Sequence, residues 1–173
     1  MTPLVRRAHL PDADALASVH RETVTFAYAG IFPPESKPPS LVSLVEEWRA
    51  SFEDPTFAAF LLEESGRAVG TVGIRSDPGP PGCGQLRKLH VLPDRWGSGL
   101  GSMLHDTAIE AMQGRSYARA GLWVLEANDR ARSFYERRGW RLDPGRTLQL
   151  HGQGTLELRY ELVLGRGGTL ARS

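Results

Sequence analysis

The chain has 173 residues, 40% of them hydrophobic, which is typical of one globular domain with its own core. Its 21 basic and 20 acidic residues leave a net charge of +1, which argues against a nucleic-acid partner or an anionic membrane partner. The single cysteine, Cys83, excludes an internal disulfide, and no segment has the length and apolar character of a signal peptide or a spanning helix, so we expect a soluble, cytoplasmic protein.

The N-terminal half is predicted to combine short strands with amphipathic helices. Its elements, in chain order, are a strand at 4–8, a helix opened by Pro11 and Asp12, a proline-rich loop at 30–40, a helix at 41–52, and a hairpin of strands 57–64 and 68–76 around Gly66. A second turn, at 77–84, leads out of the hairpin.

The C-terminal half continues the alternation. Its predicted elements are a strand at 85–91, a helix that ends at Gly114, a strand at 121–127, a helix at 129–138 capped by Asn128, a short strand at 140–142 and a final strand at 155–164. No repeat or linker divides the chain. We therefore expect a single domain over residues 1–165 and a flexible tail over residues 166–173.

Three glycines at alternate positions, Gly97, Gly99 and Gly101, define a glycine-rich loop (residues 97–101) between a strand and a helix. Backbone N–H groups in such a turn, together with the unpaired N–H groups of a helix start, form a concave site that suits a diphosphate. A tight turn with close helix packing explains the glycines equally well. The loop lacks the Gly-Lys-Ser/Thr ending of a P-loop, and its spacing does not fit a dinucleotide-binding fingerprint.

Residues 86–105, LRKLHVLPDRWGSGLGSMLH, and 122–140, LWVLEANDRARSFYERRGW, resemble the GNAT superfamily of acyl-coenzyme A dependent N-acetyltransferases. The family's pyrophosphate loop, Arg/Gln-x-x-Gly-x-Gly/Ala, corresponds to residues 96–101, with Trp96 in place of the usual Arg or Gln. A second family motif, Asn-x-x-Ala-x-x-x-Tyr, corresponds to Asn128, Ala131 and Tyr135. The resemblance implies an α/β fold whose mixed, mostly antiparallel central sheet is splayed at the middle and flanked by about four helices.

The resemblance also implies a reaction, in which an acetyl group passes from acetyl-coenzyme A to a primary amine by direct attack in a ternary complex. Tyr135 would serve the leaving thiolate, and a main-chain N–H near residues 89–91 would polarise the thioester carbonyl. The implied coenzyme-binding residues are Leu89, His90, Val91, Trp96, Gly97, Ser98, Gly99, Leu100, Gly101, Ser102, Asn128, Ala131 and Tyr135.

The acceptor expected from the resemblance is a small-molecule amine or a peptide N-terminus, bound in part by the region of Tyr28 and residues 30–34. A homodimer is left open. Two alternatives keep the loop but change the function: a non-catalytic acyl-coenzyme A sensor, and a module that binds another diphosphate. The five histidines lack metal-ligand spacing and Cys83 has no adjacent histidine, so no metal site and no cysteine nucleophile are predicted.

The general base is the weakest part of the resemblance, because Gln85 stands where many relatives have a glutamate. Strict alternation along the strand predicts that His90 faces away from the side shared by Gln85, Arg87, Leu89 and Val91. Sequence spacing does not place His20, Glu22 or Glu126 relative to the cleft. We therefore expect no single indispensable base; an ordered water relays the proton, or the amine arrives neutral.

Overall fold

The computed structural model describes residues 2–150 and 155–165, which form one seven-stranded sheet with helices on both faces. The strands are β1 (Leu4–Ala8), β2 (Ala58–Glu64), β3 (Arg67–Ser76), β4 (Cys83–Val91), β5 (Arg119–Leu125), β6 (Arg141–Leu150) and β7 (Thr155–Val163). The α-helices are α1 (Ala13–Ala27), α2 (Leu41–Ser51), α3 (Leu100–Gly114) and α4 (Asp129–Glu136).

The strand order is β1-β2-β3-β4-β5-β7-β6, and the contact between β4 and β5 is the parallel one among otherwise antiparallel pairs. These two central strands pair only through residues 83–85 and 119–121, although β4 continues to Val91 and β5 to Leu125. The sheet is therefore splayed at its middle, and the predicted mixed α/β fold is confirmed.

Neighbouring side chains of β2 show how the two faces are covered. Leu61 packs into a cluster with α1 and α2 that includes the fully buried Trp48, whereas Leu62 packs into a cluster with α3 that includes Leu104 and Met112. This alternation places α1 and α2 on one face of the sheet and α3 on the other. Helix α4 joins the α3 face through Tyr135.

Local signals position the elements around the site. Asn128 caps α4, because its side-chain oxygen accepts a hydrogen bond from the backbone N–H of Ala131 at 3.2 Å. The β2–β3 hairpin turns through Ser65 at φ +55° and Gly66 at φ +78°, as its sequence predicts. Gly139, at φ +83°, follows the end of α4.

The largest departure from the predicted elements is β6, which continues to Leu150 instead of stopping at residue 142. Pro144 and Gly145 are typical turn residues, but here they lie in an irregularity of the β6–β7 ladder between Asp143 and Thr147. The predicted tail at 166–173 lies outside the described residues. No helix among residues 2–150 and 155–165 is long and apolar enough to cross a membrane.

Candidate functional site

A cleft of about 1010 Å³ opens where β4 and β5 separate, and both faces of the sheet contribute to its walls. On the face covered by α3 and α4, the glycine-rich loop and residues 128–135 line it. On the face covered by α1 and α2, it is lined by polar and charged side chains: His20, Tyr28, Glu47, Arg75, Gln85, Arg87, Lys88 and His90. The cleft therefore runs through the sheet, which gives two different molecules access to a common centre.

The glycine-rich loop presents unpaired backbone donors at the start of α3. The N–H groups of Gly97, Gly99, Leu100 and Gly101 reach no acceptor within the part of the chain that the structure describes. Gly97 and Gly99 adopt φ +81° and +86°, and a Cβ added at either would meet no atom within 4 Å. These two glycines are required by backbone conformation, and their unpaired N–H groups are available to an anion in the cleft.

Gly101 has a different reason to be glycine. A Cβ at this position would lie 3.3 Å from Cε2 of Phe134, so the missing side chain lets α3 pack against α4. Of the other predicted loop residues, Leu100 is buried in the core and the Ser98 hydroxyl donates a hydrogen bond to the Arg95 carbonyl at 2.5 Å; the side chains of both lie outside the cleft wall. A tight turn therefore accounts for Gly97 and Gly99 and close helix packing for Gly101, and the diphosphate site stays a prediction.

Trp96 and several arginines surround the loop. The Trp96 Nε1–H donates to the carbonyl of Val91 at 2.7 Å, which ties the loop to the end of β4, and the Arg130 guanidinium lies 4.0 Å from the centre of a Trp96 ring. Arg138 donates a hydrogen bond to the Ser102 hydroxyl and lines the cleft. The positive charges of Arg130 and Arg138 favour an anion at this end of the cleft.

The second motif lies on the cleft wall beside this loop. Asn128, Ala131 and Tyr135 all line the cleft, and Tyr135 is 7% exposed. Burial raises the pKa of the Tyr135 hydroxyl well above its usual range, so the group stays protonated. Within the described residues this hydroxyl has no hydrogen-bond partner. Tyr135 therefore presents an O–H donor to whatever enters the cleft.

Strand β4 contains a bulge that sequence reasoning missed. Two of its residues, Lys88 and Leu89, lie opposite one residue of β3, Val72, and Lys88 adopts φ +53°. An extra residue in one strand shifts the alternation of its side chains by one position and takes the local backbone groups out of the regular ladder. No turn residue marks this position in the sequence.

Because of the bulge, the predicted orientation of His90 is wrong with respect to Gln85 and Arg87, although His90 does face away from Leu89 and Val91. Val91 packs in the core beside α3, whereas His90 points to the opposite face and stacks on His20 of α1 with ring centres 4.2 Å apart. Gln85 and Arg87 lie on that same face ahead of the bulge, so the extra residue brings His90 to their side. The prediction assumed that side chains alternate between the two faces along all of β4, which holds only for a strand without a bulge.

The two stacked histidines are both neutral at pH 7. Burial lowers the pKa of His20 to about 4 and holds that of His90 well below its usual range, and each is lowered further by the charge of Lys88. Within the described residues, His20 Nδ1 is buried without a hydrogen-bond partner. The pair therefore offers neutral ring nitrogens on the α1 and α2 side of the cleft.

Lys88 is a buried charge with a dedicated partner. Its Nζ lies 2.9 Å from the Glu47 carboxylate, 3.2 Å from the Ser51 hydroxyl and 4.4 Å from the centre of a Trp48 ring. Burial lowers the pKa of Lys88. The remaining base candidates lie elsewhere, since neither Glu22 nor Glu126 lines the cleft.

Metal ligation receives no support from side-chain clustering in the parts of the chain described. Within residues 2–150 and 155–165, no three His, Cys, Asp or Glu side chains are grouped so that they could hold a metal ion. Cys83 is buried, and burial raises the pKa of its thiol, which disfavours the thiolate form.

A profile of the Acetyltransferase (GNAT) family matches residues 21–140, which contain the loop, the bulge and α4. An uncharacterized N-acetyltransferase of Mycobacterium tuberculosis is 29% identical over 163 residues, covering 89% of this chain and the whole of that protein.

Two solved structures show the same fold at low sequence identity. The PaiA N-acetyltransferase of Thermoplasma acidophilum, solved in complex with coenzyme A, is 18% identical, with a TM-score of 0.74 and coverage of 94% of this chain and 99% of that one. The ribosomal-protein-S18-alanine N-acetyltransferase of Escherichia coli is 16% identical, with a TM-score of 0.71 and coverage of 99% and 100%.

Proposed function

This chain belongs to the acetyltransferase (GNAT) family, and we propose that it transfers an acetyl group from acetyl-coenzyme A to a primary amine by direct attack in a ternary complex. The observation that carries the proposal is the cleft through the splayed sheet. Its α3 and α4 side, which we call the donor end, has the loop donors and arginines that suit a diphosphate. Its α1 and α2 side, the acceptor end, is polar and suits an amine.

At the donor end, the N–H groups of Gly97, Gly99, Leu100 and Gly101 bind the diphosphate oxygens, and the positive end of the α3 dipole adds to their attraction. The Asn128 side-chain oxygen is used in capping α4, which leaves its NH₂ group to bind an amide of the pantetheine arm. The arm then passes between the separated edges of β4 and β5 and brings the thioester to the bulge.

At the centre of the cleft, the reaction involves the thioester carbonyl, the amine nitrogen and the leaving sulfur. A backbone N–H in residues 89–91, where the bulge interrupts the ladder, polarises the thioester carbonyl. The amine nitrogen forms the new C–N bond as the C–S bond breaks, and the electron pair leaves on sulfur. Tyr135 donates a hydrogen bond to that sulfur; its raised pKa makes full proton transfer from the hydroxyl unfavourable.

Even an amine that arrives neutral loses one proton as the amide forms, and this proton passes to water or, through water, to the departing thiolate. Gln85 cannot accept it, and Glu22 and Glu126 lie outside the cleft wall. His20 and His90 are neutral, but their lowered pKa values make them weak bases. Of the glutamates that line the cleft, Glu47 is paired with Lys88, so Glu157 is the carboxylate against which the hypothesis of no single indispensable base has to be tested.

Two measurements test the proposal. Isothermal titration against acetyl-coenzyme A, coenzyme A, ATP and NAD is expected to show binding of the two coenzyme A species only. Thiol release from acetyl-coenzyme A with a panel of amines, including peptides with a free N-terminus, is expected to depend on the amine. Tight binding of acetyl-coenzyme A with no thiol release for any amine would instead identify a sensor, and preference for ATP or NAD would overturn the donor assignment.

A further inference from the structure

Two arginines from neighbouring strands lie together at the acceptor end. Arg75 of β3 pairs across the ladder with Gln85, and Arg87 is two residues further along β4 on the same face. Such diagonal neighbours lie within reach of long side chains. Both arginines are partly buried and both line the cleft, so their guanidinium groups form one positively charged wall, which we call the arginine wall.

The arginine wall has donors without partners. Within the described residues, Arg87 makes no hydrogen bond and has no carboxylate oxygen within 4.0 Å, and the hydrogen bond that Arg75 makes, from Nε to Gln85 Oε1 at 2.8 Å, leaves both of its terminal NH₂ groups unpaired. Burial and the charge of Arg75 lower the pKa of Arg87, and the charges of Glu47, Asp54 and Glu157 offset this only in part. A partly buried guanidinium without a paired anion is stabilised by any anion that enters the cleft and binds it.

Two other buried cations on this face of the sheet each have a carboxylate partner. Lys88 is paired with Glu47 at 2.9 Å, and Arg159 with Asp77 at 2.5 Å. The unpaired state of Arg75 and Arg87 is therefore a property of this wall and not of every buried cation on this face of the sheet.

The coenzyme diphosphate does not explain the arginine wall. The glycine-rich loop that suits the diphosphate lies on the α3 face, with Arg130 and Arg138 beside it, whereas Arg75 and Arg87 line the opposite face. An anion at the wall would therefore belong to the acceptor and not to the coenzyme diphosphate.

The position of Arg87 along β4 limits where that anion can bind. Arg87 directly precedes the bulge residues Lys88 and Leu89, so an anion bound by its guanidinium lies beside the proposed position of the thioester. Glu157 of β7 also lines this end of the cleft, and its negative charge acts on both Arg87 and Tyr28. Basic groups and an acidic group that line the same end of the cleft match an amine that carries its own carboxylate.

We propose that the acceptor is a small amine with a carboxylate a few bonds from its nitrogen, of the class of free amino acids, and that Arg75 and Arg87 bind this carboxylate. The inference rests on the proposed function. Arginine forks bind carboxylate oxygens in pairs, which fixes orientation as well as charge. The arginine wall would thereby hold the amine toward the bulge and reject polyamines.

The test compares matched acceptors in the thiol-release assay. Alanine, alaninamide and ethylamine share an amine and differ in the carboxylate, and phosphoethanolamine against ethanolamine asks whether a phosphate serves instead. We expect kcat/KM for the amino acid to exceed that for its amide and its decarboxylated amine by about tenfold or more. Equal values for the three would overturn the inference, and a preference for phosphoethanolamine alone would assign the wall to phosphate and overturn the carboxylate.

Variants assign the effect to the arginine wall. Arg87→Gln should lower kcat/KM for the amino acid on the order of 10- to 100-fold, mainly through KM, and change that for ethylamine less than about threefold. Arg87→Lys should restore part of the loss, and Arg75→Gln should act in the same direction. Arg49→Gln, on the exposed side of α2 beside Asp14 at 3.5 Å, removes the same charge outside the cleft and should leave both substrates unchanged.

The outcomes separate this inference from the proposed function. The carboxylate-binding role of the arginine wall is refuted if thiol release needs an amine but does not depend on its carboxylate. It is also refuted if Arg87→Gln lowers kcat/KM equally for the amino acid and for ethylamine. Neither result contradicts the acetyltransferase reaction. No thiol release with any amine refutes the reaction and the inference together. Coenzyme A affinity, measured for each variant by titration, should stay within about twofold of wild type because the wall lies away from the donor end.

Discussion

Gly99→Ala is the substitution that tests the donor end most directly. Gly99 is the residue before α3 and adopts φ +86°, a conformation that costs an L-residue about 1–2 kcal/mol. An added Cβ would meet no protein atom within 4 Å, so the folded chain has room for the methyl group. Any effect must come from the altered backbone or from contact with the ligand.

The expected loss of affinity follows from the donors that Gly99 positions. Relaxing its φ rotates the N–H groups of Gly99 and Leu100 away from the diphosphate, and hydrogen bonds to a charged acceptor contribute about 1.5–3 kcal/mol each. Loss of one such bond weakens coenzyme A binding by at least about tenfold. Stability should fall by about 1–2 kcal/mol, a decrease in Tm of roughly 2–8 °C for a chain of this size.

Gly66→Ala is the matched control. Gly66 adopts φ +78° in the β2–β3 hairpin, its Cβ would likewise meet nothing within 4 Å, and it does not line the cleft. It should lose similar stability and keep its coenzyme A affinity. Coenzyme A affinity is measured by isothermal titration and stability by thermal denaturation of both variants. Equal losses of coenzyme A affinity in the two variants, or an unchanged affinity in Gly99→Ala, would refute the diphosphate-binding role of the glycine-rich loop. Gly101→Val is less informative because it also presses on Phe134.

Three further predictions concern the centre of the cleft. Tyr135→Phe should lower kcat much more than coenzyme A affinity, since the lost O–H acts as the thiolate develops; equal losses in kinetics and titration would make Tyr135 a binding residue only. Gln85→Ala, His90→Ala and Glu126→Ala should each retain more than about a tenth of wild-type turnover at pH 8–9, whereas a loss of 100-fold or more in any of them would reveal a general base. The unfolding free energy should fall as pH drops from about 6.5 toward the folded His20 pKa of about 4, by up to about 1.4 kcal/mol per pH unit for each histidine, because the unfolded chain binds protons that folded His20 and His90 refuse. His20→Gln should flatten this slope in urea denaturation, and an unchanged slope would show that its pKa is not lowered.

Features encoded by short local patterns could be predicted from the sequence. The glycine-rich loop, the Asn128 cap and the Gly66 hairpin each depend on residues that are adjacent in the chain, and each lies where its pattern places it. The order of the elements follows from hydrophobic periodicity in the same way. The predicted splay of the sheet came from the family resemblance, because nothing local marks where β4 and β5 part.

Features that depend on distant contacts could not be predicted. Pro144 and Gly145 suggest a turn, yet pairing with β7 carries β6 past them to Leu150. Gly101 resembles its two neighbours in the loop, and only the position of Phe134 on α4 shows that it serves helix packing. In the first case the deciding contact is pairing with the next strand, and in the second it is a side chain from a different helix, so the local residue pattern alone does not contain either signal.

The bulge at Lys88 is a local backbone feature that is stabilised by distant contacts. A non-glycine residue at φ +53° costs on the order of 1–3 kcal/mol, and nothing in the sequence around it favours that conformation. Its side chain, however, packs on Trp48 and pairs with Glu47, both from α2, so contacts from a helix some 40 residues earlier offset the strain. By holding the bulge, α2 turns His90 toward Arg87 and sets the composition of the acceptor end. The two family motifs each lie along one short segment, residues 96–101 and 128–135, whereas the proposed acceptor end is assembled by tertiary contacts, which is why the motifs predict the donor end and not the acceptor end.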